Sequence, residues 1–413
     1  MSLESDVLRF LDEREEELVA FTQALVATPS VNPPGDEQAV VDVAAARLRE
    51  LGITDVDIVS KDVKRPNLLA HLDGVAAGCE LTLCSHLDTK PAGRVDQWHR
   101  DPWDAAIQEG ELYGLGSGDM KASAAAMVYA LAAIAYVGLP IGRLTLALVA
   151  DEEAGSSYGA KWLAECGHLT GDAVLIGEPS GITEAWESIA LVSRGAALFK
   201  IHVSGTQTHS SISDRLPTVN ATVKAARLID RMERELKDAL TYDDHPLCEL
   251  GPTVNVGVMA QAGVFYGVYP GEAEFGSDIR TLPGMTRESI IADLQRFLDA
   301  AMADDPELDA TLHFEEIYYE ATEIESSHPL VAAVQSASQS ILGSSPPLQA
   351  FPGATDAAHI QGIAGLPTIA AFGPGYLPRA HSPNETVPVE DIGKAARMYA
   401  LASLRYLADG VSR

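Results

Sequence analysis

The stretch Leu81-Thr82-Leu83-Cys84-Ser85-His86-Leu87-Asp88-Thr89 joins a mostly apolar run to a histidine and an aspartate two positions apart. Its first five residues have the composition of a strand that is covered on both faces, which is typical of a parallel sheet. A His-x-Asp pair alone is weak evidence, because most such pairs are surface or structural residues. This pair closes an apolar strand, where a structural position would favour hydrophobic residues, so it predicts a functional edge of a sheet.

Similar short apolar runs recur along the first half of the chain, at 67–71, 144–150 and 173–176. Segments with helical patterns separate or flank these runs. We predict helices at 4–27, 37–52, 121–137, 217–240, 286–303 and 389–408. Because strands alternate with helices, we expect an α/β fold with a mainly parallel sheet.

Acidic residues follow two of these runs directly. Glu152 and Glu153 come after 144–150, and Glu178 comes after 173–176. Open α/β sheets bind their ligands at the carboxyl ends of the strands, so we expect these side chains to lie near His86.

The pattern changes near residue 190. Apolar and polar residues alternate over 199–203, as in a half-buried strand, and a βαββαβ order follows. The chain returns to α/β character after about residue 323. We therefore predict a catalytic domain of residues 1–189 and 323–413, with an α+β domain of residues 190–322 inserted into it.

The composition excludes several classes of partner. The 413 residues contain 29 Lys and Arg against 59 Asp and Glu, a formal charge of -30, which repels nucleic acid and anionic membranes. The four cysteines show no CxxC spacing, so no disulfide framework is expected. We read no signal peptide in residues 1–14 and no apolar run of the ~18 residues that a membrane span needs. These features predict a cytoplasmic protein that binds neither nucleic acid nor membranes.

An ordered set of histidines and carboxylates extends over most of the chain. Its members are His86, Asp88, Asp119, Glu152, Glu153, Glu178 and His381. Two imidazoles and several carboxylates, with no cysteine, suit zinc or a similar divalent ion. With one shared carboxylate they could hold two metal ions, an arrangement that activates water for hydrolysis. Each residue alone has a structural explanation, but their joint occurrence makes a metal site the better hypothesis.

These motifs resemble those of the M20 metallopeptidases, in the branch of acetylornithine deacetylase and succinyl-diaminopimelate desuccinylase. The matching stretches are 85–89, 113–122, 151–155, 177–180, 205–209, 278–284, 353–357 and 380–385. The resemblance implies that the inserted domain is a lid, which commonly also forms a homodimer in that family. It also implies two divalent metal ions, with zinc expected and cobalt or manganese as alternatives.

The resemblance assigns the metal ligands as follows. One ion would be held by His86, Asp119 and Glu178, and the other by Asp119, Glu153 and His381, so that Asp119 is the bridge. Asp88 would fix the tautomer and orientation of His86. If the chain at 152–153 is extended, Glu152 and Glu153 cannot point the same way. The resemblance makes Glu152 the general base, which takes a proton from the bridging water and passes it to the leaving amine.

The inserted domain supplies further candidates. His209 matches the lid histidine that stabilises the oxyanion, and in the family it reaches the active site of the partner subunit. Substrate contacts are expected from Arg280, Asn255, Thr355, Gly353 and Arg194. Arg280 is expected to hold a carboxylate by a bidentate contact.

The departures from the family pattern lie near the substrate. The chain has Gly114-Leu115-Gly116 where Gly-Arg-Gly is frequent, and Gly267-Val268-Tyr269-Pro270 where an Asn is frequent. No early proline follows His209, and Ala354 replaces a common glycine. These differences leave the hydrolytic chemistry in place and the identity of the amide open.

The expected activity is removal of an N-acyl group from a small carboxylated, amino-acid-like molecule. The alternatives are a dipeptidase or carboxypeptidase, or an aminohydrolase of an unusual amine. M28 aminopeptidases use a similar ligand order but generally lack a lid at this point in the chain. A non-catalytic binding protein is the alternative from another class, and the presence of Glu152, His209 and all five ligands argues against it.

Overall fold

The structure, a computed structural model, describes residues 2–409. The helices are α1 (Leu3–Asp12), α2 (Glu15–Val26), α3 (Gln38–Glu50), α4 (Ala122–Val137), α5 (Ala160–Glu165), α6 (Ala221–Ala239), α7 (Arg287–Asp304), α8 (Pro329–Leu342), α9 (Ala357–Ala364) and α10 (Val389–Asp409). The strands of the first half are β1 (Val56–Ser60), β2 (Pro66–Asp73), β3 (Ala76–His86), β4 (Ile107–Gln108), β5 (Glu111–Tyr113), β6 (Ile141–Val149), β7 (Ala173–Ile176), β8 (Pro179–Gly181) and β9 (Ile189–Ser193). Those of the second half are β10 (Gly195–Ser204), β11 (Thr208–His209), β12 (Thr253–Ala262), β13 (Val268–Tyr269), β14 (Glu272–Thr281), β15 (Asp309–Tyr319), β16 (Thr322–Glu323), β17 (Leu348–Phe351), β18 (Thr368–Ile369), β19 (Gly373–Tyr376) and β20 (Thr386–Pro388).

The chain divides into two units. The first unit contains the residues up to Ser193, Glu323–Phe351 and those from Thr355 onward, and the second contains Arg194–Thr322 and Pro352–Ala354. Residues 190–193, which we expected in the inserted domain, belong to the first unit. The reason is that β9 forms a three-stranded sheet with β16 and β17.

A six-stranded sheet forms the centre of the first unit, in the order β1-β2-β6-β3-β7-β18. Neighbouring strands from β6 to β18 are parallel, whereas β2 is antiparallel to both β1 and β6. The buried parts of β3, β6 and β7 are almost continuously apolar, as expected of strands covered on both faces. The prediction of a mainly parallel α/β sheet is confirmed.

Helix α4 lies in the core of the first unit. It is rich in alanine and apolar on all sides, so it can pack closely against several neighbours at once, and its residues from Ala122 to Ile134 are buried. Residues 117–137 form a helical segment long and apolar enough to cross a membrane by length and composition alone, contrary to our expectation. Because 83% of its apolar window is buried inside the protein, the segment has the character of a core helix.

The helix expected over 4–27 is two helices in the structure. Arg14 leaves the helical conformation, with φ -121° and ψ 18°, and α2 begins after it. The break lies in the charged run 12–17, where like charges three and four residues apart destabilise a continuous helix. No apolar side chain between Leu11 and Leu18 is available to stabilise this turn by burial.

The second unit is an antiparallel sheet in the order β12-β14-β10-β15, with α6 and α7 packed on it. Along β10, buried Phe199, Ile201 and Val203 alternate with more exposed residues and form part of the core with the apolar faces of the helices. The Asn220 side chain caps α6, and Thr286 and Ser289 form a capping box at the start of α7. The predicted βαββαβ order is present.

Candidate metal centre

Three neighbouring parallel strands end at the same edge of the central sheet. β3 ends at His86, β6 ends just before the turn with Glu152 and Glu153, and β7 ends two residues before Glu178. Because the order is β6-β3-β7, this topology brings side chains from distant parts of the sequence to one place.

Asp119 reaches this edge on an irregular, glycine-rich loop before α4. Gly116 has φ 78°, and a Cβ there would lie 2.4 Å from the Thr89 methyl group, so the loop requires glycine. The buried Glu385 carboxylate accepts hydrogen bonds from the backbone N–H groups of Gly116 (3.0 Å), Gly118 (2.9 Å) and Asp119 (3.1 Å). Three donors on one carboxylate fix the direction in which Asp119 leaves the loop.

The Asp119 carboxylate lies between the two imidazoles. Its Oδ1 is 3.1 Å from His86 Nε2, and its Oδ2 is 3.2 Å from His381 Nε2. His381 Nε2 is also 3.0 Å from Glu153 Oε1, and His86 Nε2 is 3.7 Å from Glu178 Oε1. The two oxygens of one carboxylate therefore face two separate clusters of ligand atoms.

Two overlapping groups of donor atoms lie close enough together to hold a metal ion. The groups are His86, Glu152 and Glu178, and His86, Asp119 and Glu153, with the ligand atoms of each group within 4.8 Å of one another. Oxygen and imidazole donors at these separations can close around divalent cations by small side-chain movements. The donor set present therefore fits metal ions.

His86 is oriented through the main chain of Asp88. Its Nδ1 is 3.0 Å from the Asp88 carbonyl oxygen but 3.6 Å from the carboxylate Oδ1. Donation to the carbonyl leaves Nε2 unprotonated and available as a ligand. The Asp88 carboxylate instead accepts hydrogen bonds from the N–H groups of Glu152 and Glu153, both at 3.1 Å. The expected positioning effect of Asp88 thus comes from its main chain and its side chain together.

Glu152 and Glu153 lie in a tight turn and not in extended chain. Asp151 has φ 64° and ψ 15°, and Glu152–Ala154 forms one 3₁₀ turn. The extended segment, which was the condition for our argument about the two side chains, is absent here because the left-handed residue reverses the chain after β6. Successive side chains of a 3₁₀ turn still diverge by about 120°, so two adjacent glutamates can have different surroundings.

The electrostatics of this cluster favour cations. Burial raises the pKa of Glu152 well above its usual value, and burial with the charge of Asp119 does the same for Glu178. Burial opposes the protonation of His381, but its hydrogen bonds with Asp119 and Glu153 outweigh this and raise its pKa to about 10. Buried carboxylates in such numbers require positive charge, which protons or metal ions can supply.

Two charged residues near the centre were not singled out by sequence reasoning. The Lys90 ammonium is 3.1 Å from Glu153 Oε2, and its backbone N–H donates to Oε1 at 3.2 Å. Glu385 was part of a recognised motif, but no role was assigned to it. Sequence reasoning could have included Lys90 in the site, because it lies only four residues after His86. The contacts of Glu385 with backbone N–H groups depend on tertiary structure and have no such local signal.

His209 lies in the second unit, where β11 pairs with β13. Its Nδ1 accepts a hydrogen bond from the Ser211 N–H at 3.2 Å and is 2.8 Å from the Ser211 hydroxyl oxygen. A ring nitrogen that accepts carries no proton, so in the neutral imidazole the proton is on Nε2. The side chain is exposed and presents one N–H donor.

The remaining candidates of the second unit lie on its sheet and in a short loop. Asn255 Nδ2 donates to Asp278 Oδ1 at 2.9 Å, and Arg280 Nε lies 3.3 Å from the same oxygen. These residues form one polar cluster on β12 and β14, of which sequence reasoning missed Asp278. Gly353, also in this unit, is partly exposed.

Two candidate substrate contacts have other partners in the structure. Arg194 donates to the carbonyl oxygens of Gly251 (2.6 Å) and Arg280 (3.4 Å) and to the Thr253 hydroxyl (3.1 Å), so its guanidinium stabilises a turn. Thr355 is fully buried, and its hydroxyl accepts from the Ala357 N–H at the start of α9. Contact of these two side chains with substrate stays a prediction.

Comparison with known proteins gives the family. The model of Peptidase family M20/M25/M40 matches residues 82–405. A succinyl-diaminopimelate desuccinylase of Gluconacetobacter diazotrophicus is 28% identical over 383 residues, which cover 91% of this chain and 93% of that protein.

Two solved structures share the fold. An M20 family metallo-carboxypeptidase, Sso-CP2 from Sulfolobus solfataricus, superposes with a TM-score of 0.76 at 19% identity, covering 95% of this chain and 99% of that chain. The Bacillus subtilis YXEP protein, described as a dinuclear metal binding peptidase, has a TM-score of 0.69 at 16% identity, covering 96% and 99%. The chain belongs to Peptidase family M20/M25/M40 and is a metal-dependent hydrolase that acts on C–N bonds.

Proposed function

We propose that this hydrolase removes an N-acyl group from a small, carboxylated amino-acid-like molecule. The observation that carries the proposal is the Asp119 carboxylate between the two imidazoles, with Glu153 and Glu178 beside them. The similarity to succinyl-diaminopimelate desuccinylases over more than nine-tenths of the chain favours acyl removal over peptide cleavage.

The proposed ligands are those of the two clusters. His86, Asp119 and Glu178 would hold one divalent ion, and Asp119, Glu153 and His381 the other, with zinc as the proposed metal. When bound, such ions polarise an amide carbonyl and lower the pKa of a coordinated water.

The proposed proton carrier is Glu152. It lies within the ligand cluster, and burial raises the pKa of its carboxyl well above the usual value, which is the direction that makes a carboxylate a better proton acceptor. In the first step the Glu152 carboxylate takes a proton from the attacking water. In the second step the same carboxyl group gives that proton to the leaving nitrogen, so that the products are a carboxylic acid and an amine. His209, which presents an Nε2–H donor, is the proposed hydrogen-bond donor to the tetrahedral oxyanion.

The test of substrate class is amine release by the zinc-loaded protein across N-acetyl and N-succinyl amino acids and dipeptides. The proposal predicts a kcat/KM for one acyl series at least 100-fold above that for the dipeptides. The reverse preference would make the protein a dipeptidase or carboxypeptidase. If protein that holds two metal ions releases no amine from any compound of the panel, N-acyl amino acids are refuted as the substrate class.

We further propose a homodimer through the second unit. β12 is an edge strand of its sheet, and Val258 and Met259 on it are more than half exposed, as are Phe265 and Tyr266 in the loop that follows. An apolar edge strand can pair with a second copy of itself. Sedimentation should give a dimer, and Met259→Lys should give a monomer. Val75→Lys is the control, because Val75 is an isolated exposed residue of the first unit. A Met259→Lys protein that remains dimeric would refute this interface.

A further inference from the structure

The turn that carries Glu152 and Glu153 has an unfavourable backbone. We call residues 151–156 the glutamate turn. Two non-glycine residues in it, Asp151 (φ 64°) and Ser156 (φ 55°), adopt the left-handed conformation. This conformation is unfavourable for an L-residue, so contacts from outside the turn must hold it.

Asp151 anchors the beginning of the glutamate turn. Its buried Oδ1 accepts hydrogen bonds from Arg65 Nη2 at 2.8 Å and from Asn32 Nδ2 at 2.9 Å, and its Oδ2 accepts from the Tyr158 N–H at 3.1 Å. Both oxygens of the Asp151 carboxylate therefore accept hydrogen bonds from residues outside β6.

The Arg65 guanidinium is itself fixed. It makes a bidentate contact with the fully buried Glu37, at 2.6 Å from Nε and 2.8 Å from Nη2, and it lies over the Tyr158 ring. Gly35 permits this placement, because a Cβ at that position would lie 2.1 Å from Arg65 Cζ. A planar fork that contacts two carboxylates at once requires arginine, since a lysine ammonium cannot reproduce its geometry.

Asn32 connects this anchor to the metal centre. Its Nδ2 also donates to Asp88 Oδ2 at 2.7 Å, and the Asp88 carboxylate accepts the N–H groups of Glu152 and Glu153. An unbroken path of buried hydrogen bonds runs from Glu37 to the main chain of the two glutamates. Among residues 2–409, the hydrogen-bond partners of the Arg65 side chain are Glu37 and Asp151, and none of them is His86, Asp119, Glu178 or His381.

We infer that Arg65 is a positioning residue for the metal centre. Through Asp151 and Asn32 it holds the glutamate turn so that Glu153 faces the ligand cluster and Glu152 faces the reacting water. This inference rests on the proposed roles of the two glutamates. A purely structural ion pair would stabilise the fold without affecting the site, so the test must separate the two effects.

The experiment compares Arg65→Met, Arg65→Lys and the double variant Arg65→Met/Glu37→Leu. The double variant avoids leaving the buried Glu37 carboxylate without its partner, while Asp151 keeps its hydrogen bonds from Asn32 and the Tyr158 N–H. Cobalt(II) substitution reports the ligand geometry through its visible spectrum, and titration gives the metal affinity. We expect the methionine variants to lose 10–100-fold in metal affinity or in kcat, the usual effect of removing a residue that orients ligands. KM should stay within about twofold and the cobalt spectrum should change, with a smaller loss in Arg65→Lys.

Arg397→Met is the matched control. Arg397 contacts two carboxylates, Asp12 at 2.7 Å and Glu15 at 2.6 Å, but it joins α10 to the region of α1 and α2. Its loss should lower the melting temperature and leave the cobalt spectrum, the metal affinity and kcat unchanged.

An unaltered cobalt spectrum and metal affinity in folded Arg65 variants would overturn the inference. If Arg65→Met does not fold, Gly35→Ala replaces it as the test, because the added methyl group displaces the guanidinium while every charge remains. The changes in cobalt spectrum and metal affinity are then expected in Gly35→Ala and in Arg65→Lys. The spectrum and the metal titration need no substrate. Failure of the wild-type protein on every amide would therefore count against the proposed function alone.

Discussion

Replacement of Glu385 by glutamine should weaken both the fold and metal binding. In the wild-type protein, Oε1 accepts the N–H groups of Gly118 and Asp119, and Oε2 accepts that of Gly116. In Glu385→Gln, the amide oxygen can keep the first two bonds, but the NH₂ group then faces the Gly116 N–H. One buried donor is left unsatisfied.

The magnitude follows from these three bonds. Burial and the charge of Asp119 raise the pKa of Glu385 to about 8, so at pH 7 the carboxyl group is largely protonated and the substitution removes little charge. An unsatisfied buried donor costs roughly 1–3 kcal/mol. The free energy of unfolding at pH 7 should therefore fall by about 1–3 kcal/mol.

Urea unfolding of the metal-free protein measures this change, and titration with zinc measures its effect on the site. Affinity for the ion pair bridged by Asp119 should fall at least tenfold, because the loop that orients Asp119 loses part of its support. Glu390→Gln is the control, since Glu390 is an exposed residue whose partner is Lys394. Identical unfolding midpoints and zinc affinities for Glu385→Gln and the wild-type protein would refute the reasoning.

Two further predictions concern metal removal and pH. Chelation should abolish turnover, and zinc, cobalt or manganese should restore it; turnover that persists in protein shown to be metal-free by elemental analysis would exclude the mechanism. Burial lowers the pKa of His359 from 6.5 to about 4. As the pH falls from 6.5 to 4, the unfolded chain therefore takes up a proton on this histidine before the folded protein does. The stability this histidine provides is complete above pH 6.5 and is lost as the pH falls toward 4, by about 3 kcal/mol. Urea unfolding of His359→Gln should show a weaker loss between pH 6.5 and 4 than the wild-type protein, and parallel curves would contradict the prediction.

The sheet and the metal cluster were predictable because their signals are local. Continuous apolar runs mark doubly covered strands, and each run ends at or just before a histidine or carboxylate, as His86 and Glu178 illustrate. Parallel topology then places these ends together without further information.

The surroundings of the cluster were not predictable in the same way. Asn32 and Arg65 reach Asp151 across 119 and 86 residues of sequence, and no local pattern marks such a contact. Thr355 was expected to contact substrate, but its burial against Ser193 is a tertiary property. The break between α1 and α2 is a different case, because the charged run 12–17 is a local signal that sequence reasoning did not use.

The central claim is tested most directly by Glu152→Gln, measured for metal content and for amine release together. The account predicts two metal ions per chain, as in the wild-type protein, and turnover lower by roughly 10²–10⁴-fold, since the amide cannot accept the proton of the attacking water. Glu165→Gln, a change on the exposed side of α5, should leave both quantities unchanged. A Glu152→Gln protein that binds two metal ions and retains turnover within a factor of two of wild type would contradict the account.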